Sequence, residues 1–329
     1  MVINNRFSRQ DNERALSEVI GFILILGVFI TAIALWMMYV VPVTGREEEI
    51  DQMNVVKDRF TDYKISLDSL WINSPGGASW SQSGVTLSTS FNLGTGGGNT
   101  QASGFFLPML KPIASSAVLS VKNNGDTMNI TSAGGATNMN LNNSMGILEY
   151  ESQNNYWLQQ RYYYQTGGVF LAQDFGSTAR VSPPISIVNS SKNAATMNDF
   201  TSTVVIAPIS IDGGASIGGN GPVRVDSRLK TLSPQLGPEK KYWVNISVKV
   251  KDYPTAQMWN ATLIDAVSNG GITNKSWYKS GTSSTGISPA TAYIYVIGPY
   301  DDNTNPDVWL TLHPAEYAVT FNSIASGLT

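Results

Sequence analysis

The most pronounced feature of the hydrophobic pattern is an uninterrupted apolar run close to the N-terminus. Residues 16–39 read LSEVIGFILILGVFITAIALWMMY, and no charged side chain occurs between Glu18 and Arg46. At about 1.5 Å per residue, a helix of this length exceeds the hydrocarbon core of a bilayer, which is about 30 Å thick. Because a helix satisfies its backbone hydrogen bonds internally, the pattern predicts a membrane-spanning or bundle-forming helix over residues 16–43.

A second helical pattern follows the apolar run. Apolar residues recur at intervals of three or four, at Ile50, Met53, Val56, Phe60, Tyr63, Leu67 and Leu70. This spacing places them in one stripe along a helix, which the Pro-Gly-Gly of residues 75–77 ends. We therefore predict an amphipathic stalk helix over residues 44–72 that packs against its own domain, with a kink at Pro42 because proline cannot donate a helical hydrogen bond.

The pattern changes again over residues 73–329. Short apolar or alternating runs are separated by clusters of Gly, Asn, Ser and Pro, which is typical of strands joined by turns. One short helix is predicted over residues 256–267, after Pro254 and before Asn269-Gly270-Gly271. The predicted fold class is mainly β with one long N-terminal α-helix, in which the membrane helix extends as a stalk into a β-sandwich-like domain with one short helix.

Composition excludes several functions. Only 14% of the residues are charged and the net charge is −3, so the chain has no basic field for nucleic acid. Cysteine is absent and His313 is the single histidine, which rules out thiol chemistry and His-rich metal sites. No motif for a cofactor is present, and we do not expect the protein to be an enzyme.

The residues before the apolar run form a polar segment that carries Arg6, Arg9 and Arg14. The apolar run is too long for the core of an ordinary secretory signal, so cleavage is expected before it. The stretch RALSEVIG, residues 14–21, resembles the processing site (class III signal peptide) of archaeal type IV pilin-like proteins. The resemblance implies a leader over residues 1–15 that prepilin peptidase removes between Ala15 and Leu16, next to Arg14. Residues 146–150, 155–157 and 167–171 are also similar to poorly characterised ectodomains of this group, and this carries no mechanism.

Three residues of the apolar run are candidates for assembly. Glu18 resembles the acidic residue near the mature N-terminus of type IV pilins, which pairs with a neighbour's amine, although bacterial pilins place it at the fifth mature residue and not the third. An acid in the first turn of a helix also simply complements the helix dipole, so both readings stay open. Gly27 and Thr31 have the small-xxx-small spacing that permits close helix approach.

Two further motifs bear on the domain that follows. The N-x-[ST] sequons of this domain make Asn129, Asn142, Asn189 and Asn274 candidates for glycosylation, whereas the sequons at Asn245 and Asn260 fall within a predicted strand and helix. Oxygen-bearing side chains alternate at Asp301, Asn303, Asn305 and Asp307, as they do in calcium loops. That stretch lacks the glycine and the glutamate of an EF-hand, so a plain turn is the favoured interpretation and calcium the weaker one.

These observations predict a type IV pilin-like surface protein, in which a hydrophobic helix displays a β-rich extracellular domain. Its expected partners are the lipid bilayer, the prepilin peptidase and copies of itself or other pilins in a filament. The three arginines of the leader are nearly balanced by Arg46, Lys57 and Arg59 after the apolar run, so the orientation with the leader inside rests on the resemblance and the sequons. The alternative is a binding module that does not polymerise and recognises glycans or neighbouring cells. A surface hydrolase with paired carboxylates is a third, less favoured reading.

Overall fold

The computed structural model describes residues 7–72, 85–96, 111–134, 138–190, 202–233, 235–283, 286, 288–298 and 306–323. Helix α1 (Phe7–Leu35) continues through a π-helical turn (Trp36–Val40) into helix α2 (Val41–Ile72), so residues 7–72 form one continuous helix. The rest of the described chain is rich in strands. The expectation of one long N-terminal apolar helix followed by a β-rich domain is therefore confirmed.

The π-helical turn lies immediately before Pro42. In this turn the Val41 N–H donates to the Trp36 carbonyl, five residues earlier. In a regular α-helix the proline ring would clash with the carbonyl four residues before it. The wider π turn relieves this crowding, so Pro42 is accommodated by a local change of helix type, and the kink stays a prediction.

The strands and the remaining helix follow in chain order. The first group comprises β1 (Thr86–Asn92), β2 (Ser116–Lys122), β3 (Thr127–Ala133), β4 (Met139–Ser144), β5 (Ile147–Gln153), β6 (Arg161–Gln165), β7 (Gly168–Gln173), β8 (Gly176–Val181) and β9 (Ile185–Asn189). The second comprises β10 (Ser202–Ile206), β11 (Ile209–Asp212), β12 (Ala215–Gly219), β13 (Pro222–Leu232), β14 (Leu236–Lys241) and β15 (Trp243–Val250). After α3 (Tyr253–Asn269) come β16 (Tyr278–Thr282), β17 (Ala290–Val296), β18 (Val308–Leu312) and β19 (Ala315–Ser323).

These strands form four sheets and not a single sandwich. The largest, which we call the central sheet, has the strand order β12-β2-β5-β6-β7-β8. A five-stranded sheet has the order β16-β17-β15-β3-β4, and two four-stranded sheets have the orders β1-β13-β19-β11 and β14-β18-β10-β9. Two of the pairings are parallel, β10 with β18 and β11 with β19. The sandwich expectation is corrected accordingly, because sequence patterns do not show which strands pair.

Two prolines explain how the four-stranded sheets are connected. β10 and β11 are separated only by Ala207-Pro208, and β18 and β19 only by His313-Pro314. Hydrogen bonds from His313 N to Ile206 O and from Ala315 N to Pro208 O continue the pairing across both interruptions. Because proline cannot donate to a sheet ladder, each long strand bends there and passes from one sheet into the next.

The central sheet separates two hydrophobic cores. One face packs with the buried stripe of α2 in a core that includes Phe60, Tyr63, Tyr162 and Tyr164. The other face belongs to a second core built around α3. Because both faces are covered there, β6 and β7 are buried along nearly their whole length instead of alternating between buried and exposed positions. Tyr162, Tyr163 and Tyr164 are therefore all buried.

Helix α3 begins and ends as its sequence indicates. Asp252 is the N-cap, and its side chain accepts a hydrogen bond from Thr255 N at 2.9 Å. Pro254 lies in the first turn, and the Gly270 N–H donates to the Ala266 carbonyl at the end. The helix packs against β17, β8 and β9. The predicted short helix is confirmed and is longer than the pattern indicated.

Candidate functional site

The apolar part of the N-terminal helix is exposed. The side chains from Val19 to Val40 belong to neither hydrophobic core, and large residues such as Phe22, Leu24 and Phe29 are more than half exposed. The helix is long and apolar enough to cross a membrane. An exposed apolar surface of this extent is unfavourable in water, so it is the first candidate for a functional surface.

The predicted assembly residues lie on this exposed helix. Glu18, Gly27 and Thr31 are all exposed, and a Cβ added at Gly27 would meet no atom within 4 Å. The Thr31 hydroxyl donates to the Gly27 carbonyl at 2.8 Å, so its polar group is satisfied within the helix. Gly27 and Thr31 therefore offer a neighbouring helix a surface of small side chains, on which the Thr31 hydroxyl already has a hydrogen-bond partner. The predicted processing residues Arg14, Ala15 and Leu16 lie within α1, and only their backbone is described.

The helix enters the β-rich domain, which we call the head domain, at a junction that is held together by the carboxylate of Glu49. Glu49 is buried, and its two carboxylate oxygens accept hydrogen bonds from the backbone of a loop over residues 154–160, which we call the junction loop. Asn155 N donates to Oε1 at 2.6 Å, and Tyr156 N and Trp157 N donate to Oε2 at 2.9 and 2.6 Å. Hydrogen bonds to a charged acceptor are the stronger kind, so Glu49 fixes the loop on the helix.

Two neighbouring helix residues complete the junction. The Tyr156 ring lies so close to Gly45 that any Cβ there would overlap it. The Arg46 guanidinium lies 4.3 Å from the centre of the Trp157 ring, which is a cation–π distance. The Tyr156 hydroxyl in turn accepts a hydrogen bond from Ile113 N at 3.1 Å. Gly45, Arg46 and Glu49 thus hold one loop at the point where the helix leaves the head domain.

Further along α2, buried hydroxyl groups connect the helix to the sheets. The Tyr63 and Ser227 hydroxyls are 2.9 Å apart, and the Tyr317 hydroxyl donates to the Leu67 carbonyl at 2.8 Å. Burial raises the pKa of Tyr63 above its ordinary value, so its hydroxyl stays neutral. The Phe60 ring packs edge-on against Phe91, with centroids 5.1 Å apart. The predicted apolar stripe is therefore the part of the helix that packs into the domain.

A polar cleft opens on the α3 side of the central sheet. We call it the charged cleft; its volume is about 320 Å³, and its charged lining residues are Lys122, Asp126, Glu149, Arg161, Lys251 and Asp252. Glu149 is buried, with Lys122 Nζ 2.5 Å from Oε1 and Arg161 Nε 3.8 Å from Oε2. Of the remaining charged residues, Lys251 and Asp252 lie at the N-terminal end of α3, and Asp126 precedes β3.

The second buried acid of the cleft is Asp126, which lies immediately before β3. Asp126 Oδ2 accepts a hydrogen bond from Gln165 Nε2 at 2.9 Å. Desolvation raises the pKa of Asp126, and the hydrogen bonds from Gln165 and the Lys251 backbone only partly oppose this shift. The Gln165 side-chain oxygen accepts a hydrogen bond from the Trp259 indole N–H at 3.4 Å, so Gln165 connects this side of the cleft to α3.

Comparisons with protein-family models, with curated proteins and with solved structures find no match to this chain.

The calcium candidate lies mostly outside the described residues. Asp301, Asn303 and Asn305 are not described, and the fourth residue, Asp307, is buried beside Gly298. Within the described part of the chain, no group of three or more His, Asp or Glu side chains is arranged to hold a metal ion. The calcium site stays a prediction.

The glycosylation candidates differ in accessibility. Asn142 and Asn274 are exposed, on β4 and in the turn after α3, whereas Asn129 and Asn189 are half-buried on β3 and β9. Asn129 Oδ1 is enclosed by protein atoms. A glycan needs free space around the side-chain amide, so Asn142 and Asn274 are the better acceptors.

Sequence reasoning missed both Glu49 and the charged cleft. Glu49 ends a run of three glutamates that looks like a solvated helix surface, and Glu47 and Glu48 are indeed exposed. Glu149 gave a weak signal, because an acid between the apolar residues of Ile147-Leu148-Glu149-Tyr150 is unusual in a strand buried on both faces. His313, the single histidine of the chain, lies against the Trp71 ring at a centroid distance of 5.8 Å.

Proposed function

We propose that this protein is a cell-surface structural protein of the type IV pilin-like class, held in the membrane or in a filament by its N-terminal helix. One observation carries the proposal. A single helix leaves the side chains of residues 19–40, nearly all of them apolar, outside the fold, while its continuation forms part of the core of the β-rich domain.

The exposed part needs an apolar environment, for which two candidates exist. In a bilayer, about 22 helical residues match the hydrocarbon thickness of about 30 Å. In a filament, the same residues pack against copies of themselves. The absence of charge between Glu18 and Arg46 suits both environments.

The firm attachment of the helix to the head domain favours a structural role. Glu49 holds the junction loop through three hydrogen bonds, and Tyr63 and Tyr317 anchor the helix further along. A filament subunit must present its outer domain in a fixed direction relative to its helix. The junction supplies such a connection, whereas a tethered binding module works equally well on a flexible linker.

Assembly places specific demands on Glu18, Gly27 and Thr31. An unpaired carboxylate in an apolar bundle is strongly unfavourable, and the amine that cleavage would create on Leu16 of an adjacent subunit is a suitable partner. Gly27 and the self-satisfied Thr31 let another helix approach closely. A monomeric anchor needs neither feature, because Glu18 would then lie at the wet membrane surface. In this proposal the leader stays inside and the β-rich domain lies outside.

The test compares variants in surface filaments and in membranes of the native cell. The mature N-terminus should begin at Leu16, and Glu18→Ala and Gly27→Leu should lower the amount of protein in sheared filaments about tenfold or more while membrane levels stay constant. Glu47→Ala is the control for the acid, because Glu47 is exposed outside the apolar run. Gly21→Leu is the control for the glycine, because Gly21 and Gly27 are separated by about 120° around the helix axis and lie on different faces. An intact Met1 terminus, or equal partitioning of all variants, would contradict the proposal.

The anchored binding module is the second candidate, and the charged cleft is the observation that favours it.

A further inference from the structure

The charged side chains of the charged cleft lie on a face of the central sheet that otherwise belongs to a hydrophobic core, which is unusual. In the register of β2, β5 and β6, Glu149 pairs with Tyr163, and Lys122 pairs with Ile147. Directly paired residues project from the same face of a sheet. Tyr163 and Ile147 belong to the core around α3, so the charges of the cleft lie on an interior face where the helix stops covering it.

A purely structural role does not explain this arrangement well. Taking Glu149 out of water is expensive, and ion pairs of this type are often no more stabilising than apolar side chains of the same volume. The cleft is also open and large enough for a small ligand, at about 320 Å³. Buried acids that converge on such a cavity are candidates for ligand recognition.

The charges of the cleft indicate the type of ligand. Lys122, Arg161 and Lys251 are matched by Asp126, Glu149 and Asp252, so the formal charges cancel. The cleft therefore favours neither anions nor cations, yet it offers many hydrogen-bond donors and acceptors close together. A ligand that is neutral and carries a donor and an acceptor on each of several hydroxyl groups matches this lining. We propose that the charged cleft binds a neutral saccharide.

A second depression extends the site. It has a volume of about 630 Å³, shares Arg161 and Asp252 with the charged cleft, and includes the β7–β8 turn. Phe175 at this turn is 94% exposed, far more than the other large apolar side chains of the described head domain. An exposed aromatic ring beside a polar depression provides an apolar surface for the C–H face of a sugar ring. The charged cleft and this second depression together therefore have room for more than one sugar unit.

The binding experiment uses the full chain in a detergent without a sugar headgroup. The probes are neutral tetrasaccharides of glucose, mannose, galactose and N-acetylglucosamine, titrated by isothermal calorimetry. Tetragalacturonate and the deacetylated, cationic form of the N-acetylglucosamine tetramer are the charged comparisons. We expect at least one neutral probe to bind, and its charged counterparts to bind about tenfold more weakly because they unbalance the cleft.

Variants then locate the site. Phe175→Ala and Arg161→Gln should each weaken binding about tenfold, and the exposed position of Phe175 keeps its variant folded. Glu149→Gln, which leaves the cations in excess, should bind tetragalacturonate more tightly than the wild type does. Lys230→Gln is the control, because this lysine forms ion pairs with Asp212 and Glu316 on a different sheet. Failure of every neutral probe to bind, or equal binding by wild type, Phe175→Ala and Arg161→Gln, overturns the proposal. The measurement is made on dispersed protein, so its outcome is independent of filament assembly.

Discussion

At the scale of single residues, Glu49 shows how one side chain sets the geometry of the molecule. Its neighbours Glu47 and Glu48 are exposed, whereas Glu49 is 1% exposed and fully engaged by the junction loop. Three backbone N–H groups that point at one carboxylate would be left without an acceptor if it were removed. A buried N–H without a partner costs about 1–3 kcal/mol.

We therefore expect Glu49→Ala to lower the free energy of unfolding by about 2–4 kcal/mol, and Glu49→Gln to lower it less because the amide keeps one oxygen acceptor. Urea unfolding of the full chain in detergent, followed by tryptophan fluorescence, measures the difference. Glu48→Ala is the matched control and should unfold like the wild type, because Glu48 is exposed. Equal midpoints for Glu48→Ala and Glu49→Ala would mean that the carboxylate does not hold the loop.

At the scale of elements, the stripe on α2 shows which part of the helix the domain requires. Phe60 is 0% exposed and lies against Phe91 and Tyr162. On the same helix Ile65 is 61% exposed, although it is equally apolar. The two residues allow the same substitution to be tested inside and outside the stripe.

We expect Phe60→Asp to destabilise the domain by about 4 kcal/mol or more, because it creates a cavity and buries an unpaired charge. Ile65→Asp should change stability by about 0.5 kcal/mol or less, as exposed substitutions usually do. Thermal melts of both variants in detergent provide the comparison. A Phe60→Asp melting temperature equal to that of the Ile65→Asp variant would show that this face of the helix is not packed.

The sequence predicted these helical elements because their information is local. A charge-free run and a spacing of three and four are local patterns, and Pro254 and Gly270 each act on the few residues next to them. The pairing of β10 with β18 and of β11 with β19 joins residues that are about a hundred positions apart, and no local pattern encodes it. The burial of Tyr162, Tyr163 and Tyr164 was missed for the same reason, since a strand covered on both faces loses its alternation. The charged cleft depends on this pairing and was equally inaccessible.

At the scale of the whole molecule, the N-terminal helix divides into two parts with opposite relations to the domain. Residues 19–40 contribute nothing to either core, whereas α2 contributes Met53, Val56, Phe60, Tyr63 and Leu67. The boundary falls at the π-helical turn and Pro42, because Val41 and Gly45 are the first buried residues of the helix. The exposed part is thus separable from the fold, while the rest of the helix belongs to it.

This division predicts the behaviour of two truncated chains. A chain that begins at Val41 keeps every core residue and loses the exposed apolar run, so it should be soluble without detergent, monomeric and cooperatively folded. A chain that begins at residue 73 lacks α2 and therefore exposes the apolar side chains of the central sheet that α2 covers. An apolar face of that extent is unstable in water, so this chain should aggregate or unfold. Circular dichroism melts and sedimentation measure both properties. The contrary outcome is that the chain that begins at residue 73 melts cooperatively at the same temperature as the one that begins at Val41. In that case the β-rich domain folds without α2. The firm attachment of the helix to the head domain, on which the structural role rests, would then be contradicted.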